Sequence, residues 1–519
     1  MPDTPLPSYA ELLAMDPATV APRAALAFLG RLTATATTLE DAEGLRHAIA
    51  IAPTIATRLT TPVEHATLQY YLGNSWSELQ RCQPAALERI WEWDQPECEQ
   101  AILAYRTAIQ SDGFKSLRAH EQSSVLTNLG NLFDHLGRTI EAIHAWELAL
   151  RTTPGFGMAR GNRALGLSTY AHHLHDPGHK RVFLKTAHAE LTTALTEDLE
   201  PHARQGFTKT RDVLTQTLTH EYLARPLDLD GFSLGTTDEE VAYRKRLLRA
   251  RLFLNPLNDL GPYPIGARDS LSTPPMVVKI HAAGPIAQGA LNQLKQEYVA
   301  ARFLYDQGTQ HSTPPHYADN EVRLTDTMDY PAYGLRREFL RAAFRIAYSL
   351  LDKTASFLNV YLALGIPEHR VAFRTLWYDK LEQRRGLRPA FKVRENLPLR
   401  ALYWLAKDLA PDETVVGTLD PDAQNLAQIR NHLEHKFLKL HTQGFPGPTP
   451  HEATGDLADT LPLHLNEHAF ARKALHLLRL SRAAIIYLTL AIHCEERDRA
   501  AKLSPDEMIG HIRLDSLSD

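Results

Sequence analysis

Cysteine is scarce: the 519-residue chain has three, Cys82, Cys98 and Cys494, odd in number and without any C-x2-C spacing. That excludes a disulfide framework and a cysteine zinc site, and reduced thiols are expected. Long apolar runs are missing as well. The longest, such as residues 483–492 broken only by Thr489, fall short of the roughly 20 residues that cross a bilayer, so no membrane partner is expected. The opening Met1-Pro2-Asp3-Thr4-Pro5 has neither the basic nor the apolar region of a secretory signal, and a cytoplasmic location is expected. Positive charge is not in excess: 56 Lys and Arg face 61 Asp and Glu, for a net charge of −5. A polyanion would therefore be met by a local basic patch and not by the field of the whole chain. No G-x4-G-K-[ST] phosphate loop occurs, so an ATPase or GTPase of that class is unsupported.

What is present is an ordinary globular composition, 44% hydrophobic and 23% charged, in a chain long enough for about two to four domains. Residues 1–224 read as a repeat domain. Leu126, Leu129, Gly130, Phe133, Ala142, Trp146, Ala149 and Pro154 fall at successive key positions of the 34-residue tetratricopeptide pattern, in which small residues let two antiparallel helices approach and large ones fill the seam. Gly73-Asn74 and Gly161-Asn162 echo Gly130-Asn131, so about three degenerate repeats should form a short α-solenoid with a concave face. The loop residues 172–178, which hold His172, His173 and His175 beside His179, leave the third register open, and these histidines are expected at the surface.

Pro and Gly interrupt residues 225–237, which read as a linker. Residues 238–335 read as a helical and irregular extension, and residues 336–519 as a helical bundle. The bundle is expected to contain a long helix carrying Leu340, Phe344, Ala347, Leu351, Leu358 and Leu362, then helices over residues 398–410, 421–441 and 466–494. Asp420 is the expected N-cap and Pro421 the N1 residue of the third. The fold class is thus all-α, a solenoid followed by a bundle.

On that third helix Leu426, Ile429, Leu433, Phe437 and Leu440 form the expected apolar stripe at about 100° per residue. Arg430, Asn431, Glu434 and His435 fall in an adjoining arc. A guanidinium and an imidazole bordering one polar surface suit phosphodiester cleavage in RNA. Histidine moves a proton near neutral pH, and arginine holds the phosphate bidentately as charge gathers on it. This route requires no metal and no cofactor. Glu434 is a supporting candidate that either orients Arg430 or makes a surface ion pair with it; His432 points away from the arc.

Arg430-Asn431-x-x-x-His435 resembles the Arg-x4-6-His signature of the HEPN superfamily. The flanking stretches YRKRLLRARLFLNPLNDLG at Tyr243, AYSLLDKTASFLN at Ala347, LYWLAKDLAPDE at Leu402 and IRNHLEHKFLKL at Ile429 are similar to a bacterial branch in which tetratricopeptide repeats precede a HEPN domain. The resemblance implies an all-α homodimer joined through the HEPN bundle, whose two motifs meet across the interface. It often acts as a metal-independent endoribonuclease in toxin, stress or phage-defence systems. Arg430, Asn431 and His435 would be its catalytic residues, RNA its substrate, and a protein or peptide the partner in the repeat groove. Some members instead serve as inactive scaffolds or nucleotide-binding modules, which is the competing reading.

Three further patterns stand beside the motif. Residues 380–394 carry Lys380, Arg384, Arg385, Arg388, Lys392 and Arg394 with Phe391 among them, either a strip that grips RNA phosphates or a solvated loop. Asp352-Lys353 on the long helix lies near the motif or forms an exposed charge pair. His464-Leu465-Asn466-Glu467-His468 matches the H-x-x-E-H zinc spacing, but at the entry of a helix in a chain with 25 histidines it reads as a coincidence.

Overall fold

Apolar residues recurring every three or four positions, punctuated by Pro at helix starts, build nearly all of the regular structure. The computed structural model describes residues 7–82, 91–279, 286–310, 316–325, 331–409, 423–442, 462–504 and 507–510. The chain divides into two compact units, Met1–Pro226 with Lys392–Arg400, and Leu227–Phe391 with Ala401–Asp519. The division after Pro226 falls inside the expected linker. The assignment of Lys392–Arg400 to the first unit was not foreseen.

The first unit is an α-solenoid: α1 (Tyr9–Leu13), α2 (Pro22–Thr38), α3 (Ala42–Ala56), α4 (Pro62–Arg81), α5 (Pro96–Gln110), α6 (Ala119–His135), α7 (Thr139–Thr152), α8 (Gly157–His173), α9 (Pro177–Ala194), α10 (Pro201–Thr217) and α11 (His220–Ala224). Successive helices pack as the pairs α4/α5, α6/α7 and α8/α9. In the central pair Trp146 is 1% exposed, and its Nε1 donates to Asn131 Oδ1 at 3.0 Å. A Cβ on Gly130 would lie 2.6 Å from that nitrogen, so the glycine is what lets the indole enter. The Gly-Asn echoes have a second use: Asn128 donates to Asn74 Oδ1 at 2.9 Å and Asn162 to Asn131 Oδ1 at 3.0 Å, linking successive pairs. The cluster around residue 175 is less exposed than expected. His172 is exposed, but His173, His175 and His179 are half-buried, and burial lowers the pKa of His175 and His179.

The second unit contains α12 (Asp238–Ala250), α13 (Ile286–Thr309), α14 (Leu335–Tyr361), α15 (Pro389–Lys392, up to Phe391), α16 (Leu397–Leu409, from Ala401 on), α17 (Ala423–His435) and α18 (Glu467–Ala500). Helices α13, α14 and α18 pack against one another and α17 packs on α14. Helix α13, within the expected extension over residues 238–335, thus packs on the bundle helices α14 and α18. Asn466 caps α18 by accepting from His468 N at 3.0 Å. Helix α18 is long and apolar enough to cross a membrane, yet 83% of its most apolar stretch is buried, as befits a core helix.

Two short sheets were not expected. Strand β1 (Met276–Lys279) pairs antiparallel with β4 (Glu507–Gly510), and β2 (Phe437–His441) pairs parallel with β3 (Pro462–Asn466). The second pair corrects the expected helix over residues 421–441, which ends at His435. Beyond Lys436 the period changes from 3.6 to 2. Leu438 and Leu440 are buried and Phe437 is 61% exposed, so Phe437 and Leu440 belong to a strand and not to the helical stripe. The expected cap Asp420 and Pro421 lie outside the described residues.

Candidate functional site

Helices α14 and α17 build the site. Leu426, Ile429 and Leu433 are buried and press α17 onto the bundle, as their spacing implies. The neighbouring arc, about 140° wide at 100° per residue, carries Arg430, Glu434, Asn431 and His435 in that order. Asn431, Glu434 and His435 are exposed and Arg430 is half-buried.

The last carbonyls of a helix have no intrahelical donor, and α14 supplies donors here. Arg345 donates to the Leu433 carbonyl, and Arg341 donates to the Leu438 carbonyl at 2.9 Å. The two arginines staple the end of α17 and the start of β2 onto α14, which fixes where His435 stands. One turn further along α14, Tyr348 receives the Arg430 guanidinium over its ring, 5.6 Å from the centroid, within the range of a cation–π contact.

Glu434 does not pair with Arg430. It faces Arg345 instead, at 3.8 Å, because α14 brings a guanidinium to that side of the helix. Among the described residues, Arg430 makes no ion pair, and the Asn431 and His435 side chains accept and donate no hydrogen bond. The Tyr348 phenol is pushed up by burial and by the Asp352 carboxylate, against the pull of the Arg374 and Arg430 guanidiniums. Arg345, Tyr348 and Arg374 were not foreseen. They come from elements far from α17 in sequence, and only the i, i+3 spacing of Arg345 and Tyr348 on α14 hints at a shared polar face.

The remaining candidates separate. Arg384 and Arg385 both pair with Glu382, at 2.9 and 3.1 Å. Arg388 donates to the Leu376 and Tyr378 carbonyls at 3.3 Å and so braces its own loop, while Phe391 is buried against Trp377. Lys392 and Arg394 belong to the first compact unit, with the Arg394 carbonyl accepting from Trp93 Nε1 at 3.2 Å. The six basic residues are therefore divided between two units. Asp352 accepts from Phe373 N at 3.0 Å, whereas Lys353 pairs with Glu297 at 2.5 Å. The H-x-x-E-H residues straddle a strand and a helix. His464 lies in β3 and stacks on His441, with ring nitrogens 2.9 Å apart, while Glu467 commits its carboxylate to Arg336 and Arg337. Two cavities of about 730 and 550 Å3 are lined by residues such as Arg336 and Tyr333 in one and Phe357 and Tyr361 in the other. Neither includes the motif, which lies on an open face.

Comparison with known proteins bears on this same stretch. Residues 278–495 match the family model described as LA2681-like HEPN. The match spans α13, α14 and α17 and includes Arg345, Tyr348, Arg374, Arg430, Asn431 and His435. A HEPN family domain is thus found there, and that family is associated with ribonuclease or nucleotide-related function. No curated protein and no solved structure matches the chain.

Proposed function

We propose that the protein is a metal-independent endoribonuclease, a toxin or phage-defence effector acting in the cytoplasm as a homodimer, with its solenoid as the regulatory part. The observation that carries this reading is the presentation of Arg430, Asn431 and His435 on one open arc of α17, with the Arg430 guanidinium seated on Tyr348 and outside any ion pair among the described residues. In the reaction a ribose 2′-oxygen attacks the adjacent phosphorus as its proton leaves. The bond from phosphorus to the 5′-oxygen breaks, and that oxygen takes up a proton. The products are a 2′,3′-cyclic phosphate and a 5′-OH. His435 is the proton-transfer group, since imidazole takes and returns protons near neutral pH. Arg430 clamps the phosphate through two parallel donors and stabilises its developing charge. Asn431 orders the substrate by hydrogen bonding, and Glu434 supports indirectly by holding Arg345.

One helix face open to water supports the homodimer part of the reading, because a second copy facing it would enclose the phosphate and strengthen each charged contact. The solenoid's concave face suits a protein or peptide partner. Incubating RNA with the full-length protein in EDTA and identifying the termini tests the proposal: 2′,3′-cyclic phosphate ends support it, and intact RNA contradicts it.

A further inference from the structure

Phe373 is tied to α14 by its backbone N–H, which donates to Asp352 at 3.0 Å, one turn beyond Tyr348. That bond anchors the loop that carries the next residue, Arg374, to α14, while Arg430 lies over the Tyr348 ring from α17. Both guanidiniums exert their charge on the Tyr348 phenol. Both are half-buried, and among the described residues neither forms an ion pair. The facing carboxylates are already engaged, Asp352 by the Phe373 N–H and Glu434 by Arg345. In a chain of net charge −5, two guanidiniums that form no ion pair among the described residues thus act on one phenol, against the single Asp352 carboxylate.

We infer that Arg374 and Arg430 hold two consecutive phosphates of one unpaired RNA strand, with Tyr348 as the positioning residue between them. Arg430 takes the phosphate to be cleaved, and Arg374 takes its neighbour. The assignment rests on the ribonuclease reading above and narrows it: the ligand is a strand with at least two phosphates, which excludes a mononucleotide as the natural substrate. A strand free of base pairing is required because a phosphate presented for attack by its own 2′-OH needs a backbone free to rotate into line. Arginine suits both positions, since its planar donors grip phosphate oxygens bidentately.

The test uses the full chain and a short fluorescent single-stranded oligodeoxynucleotide, which lacks the attacking hydroxyl and so reports binding alone. Each phosphate neutralised on a single strand contributes about 0.7 to the slope of log affinity against log salt. Arg374→Ala should therefore lower the slope by about 0.7 and weaken binding about tenfold at low salt. Arg374→Lys, which keeps the charge, should restore the slope. With RNA as substrate, Arg374→Ala should raise KM by more than it lowers kcat. An Arg374→Ala protein with the parental slope and affinity would overturn the inference, as would a wild type that binds mononucleotide as tightly as the oligomer. The two claims part cleanly: an Arg374-dependent slope without RNA cleavage keeps the phosphate subsite and removes the ribonuclease. RNA cleavage that is indifferent to Arg374 does the reverse.

Discussion

Arg430 owes its position to an aromatic ring and not to the carboxylate one turn away on its own helix. Replacing Tyr348 by Phe keeps the ring face and should leave RNA cleavage nearly intact. Tyr348→Leu removes a cation–π contact worth about 0.5–1 kcal/mol at a partly exposed site, so the rate should fall about two- to fivefold. Equal rates for the two variants would show that the ring does not hold the guanidinium. Arg430→Lys should fail far more severely, because a point charge cannot reproduce a bidentate fork. A second residue-scale prediction concerns His135 in the solenoid, whose ring lies 2.8 Å from Gln95 Oε1. Burial and the nearby Arg400 push its pKa down from 6.5 to about 4. As pH falls from 6.5 towards 4, the unfolded chain binds a proton that the fold refuses, so this residue makes stability fall. Its neighbour Asp134 is pushed up by burial to about 6 and acts oppositely, the fold binding its proton first. Urea melts at pH 7 and pH 5 should therefore show His135→Gln losing less stability on acidification than wild type, or gaining some. Matching pH dependences would contradict the buried neutral imidazole.

Elements were legible wherever a single helical period held. The stripe from Leu340 to Leu358 announces α14, and the Gly130/Trp146 spacing announces the α6/α7 pair. Trp146→Ala empties a fully buried indole site and should cost about 3–5 kcal/mol, seen as a lower midpoint in the melt of the solenoid. A change within about 1 kcal/mol would mean the pair packs without it. That Arg430, Asn431 and His435 share one helix arc was legible, because spacing along a helix is visible in sequence. Strand β2 was not, since Phe437 and Leu440 continue the helical stripe in register. Only pairing with β3, distant in the chain, selects the extended form over the helical one. Arg345, Tyr348 and Arg374 were hidden for the same reason, their meeting with α17 being a tertiary event.

At the scale of the molecule, a segment from the middle of the sequence is built into the first unit. Lys392–Arg400 joins Met1–Pro226 there, and Arg400, 2% exposed, donates to the His135 carbonyl and, at 3.3 Å, to that of Glu92. Residues 1–226 alone lack those donors; the Glu92 carbonyl keeps the Gln95 amide at 2.8 Å, but the His135 carbonyl loses its bond to a charged donor, worth about 1.5–3 kcal/mol. Their thermal transition should therefore lie several degrees below that of the solenoid in the full chain. Coincident transitions would show that the segment contributes nothing. A piece beginning at residue 238 likewise strips Arg400 of its acceptors, so point variants in the full chain probe the chemistry more cleanly than truncation. The most direct measurement is RNA cleavage in EDTA by full-length wild type beside Arg430→Ala and His435→Ala, with the termini identified. The account predicts 2′,3′-cyclic phosphate and 5′-OH ends from wild type and none from either variant, with the fold kept in both: His435 lies off the buried stripe of α17, and Arg430→Ala loses only the cation–π contact of about 0.5–1 kcal/mol. Cleavage at the wild-type rate by either variant would contradict it.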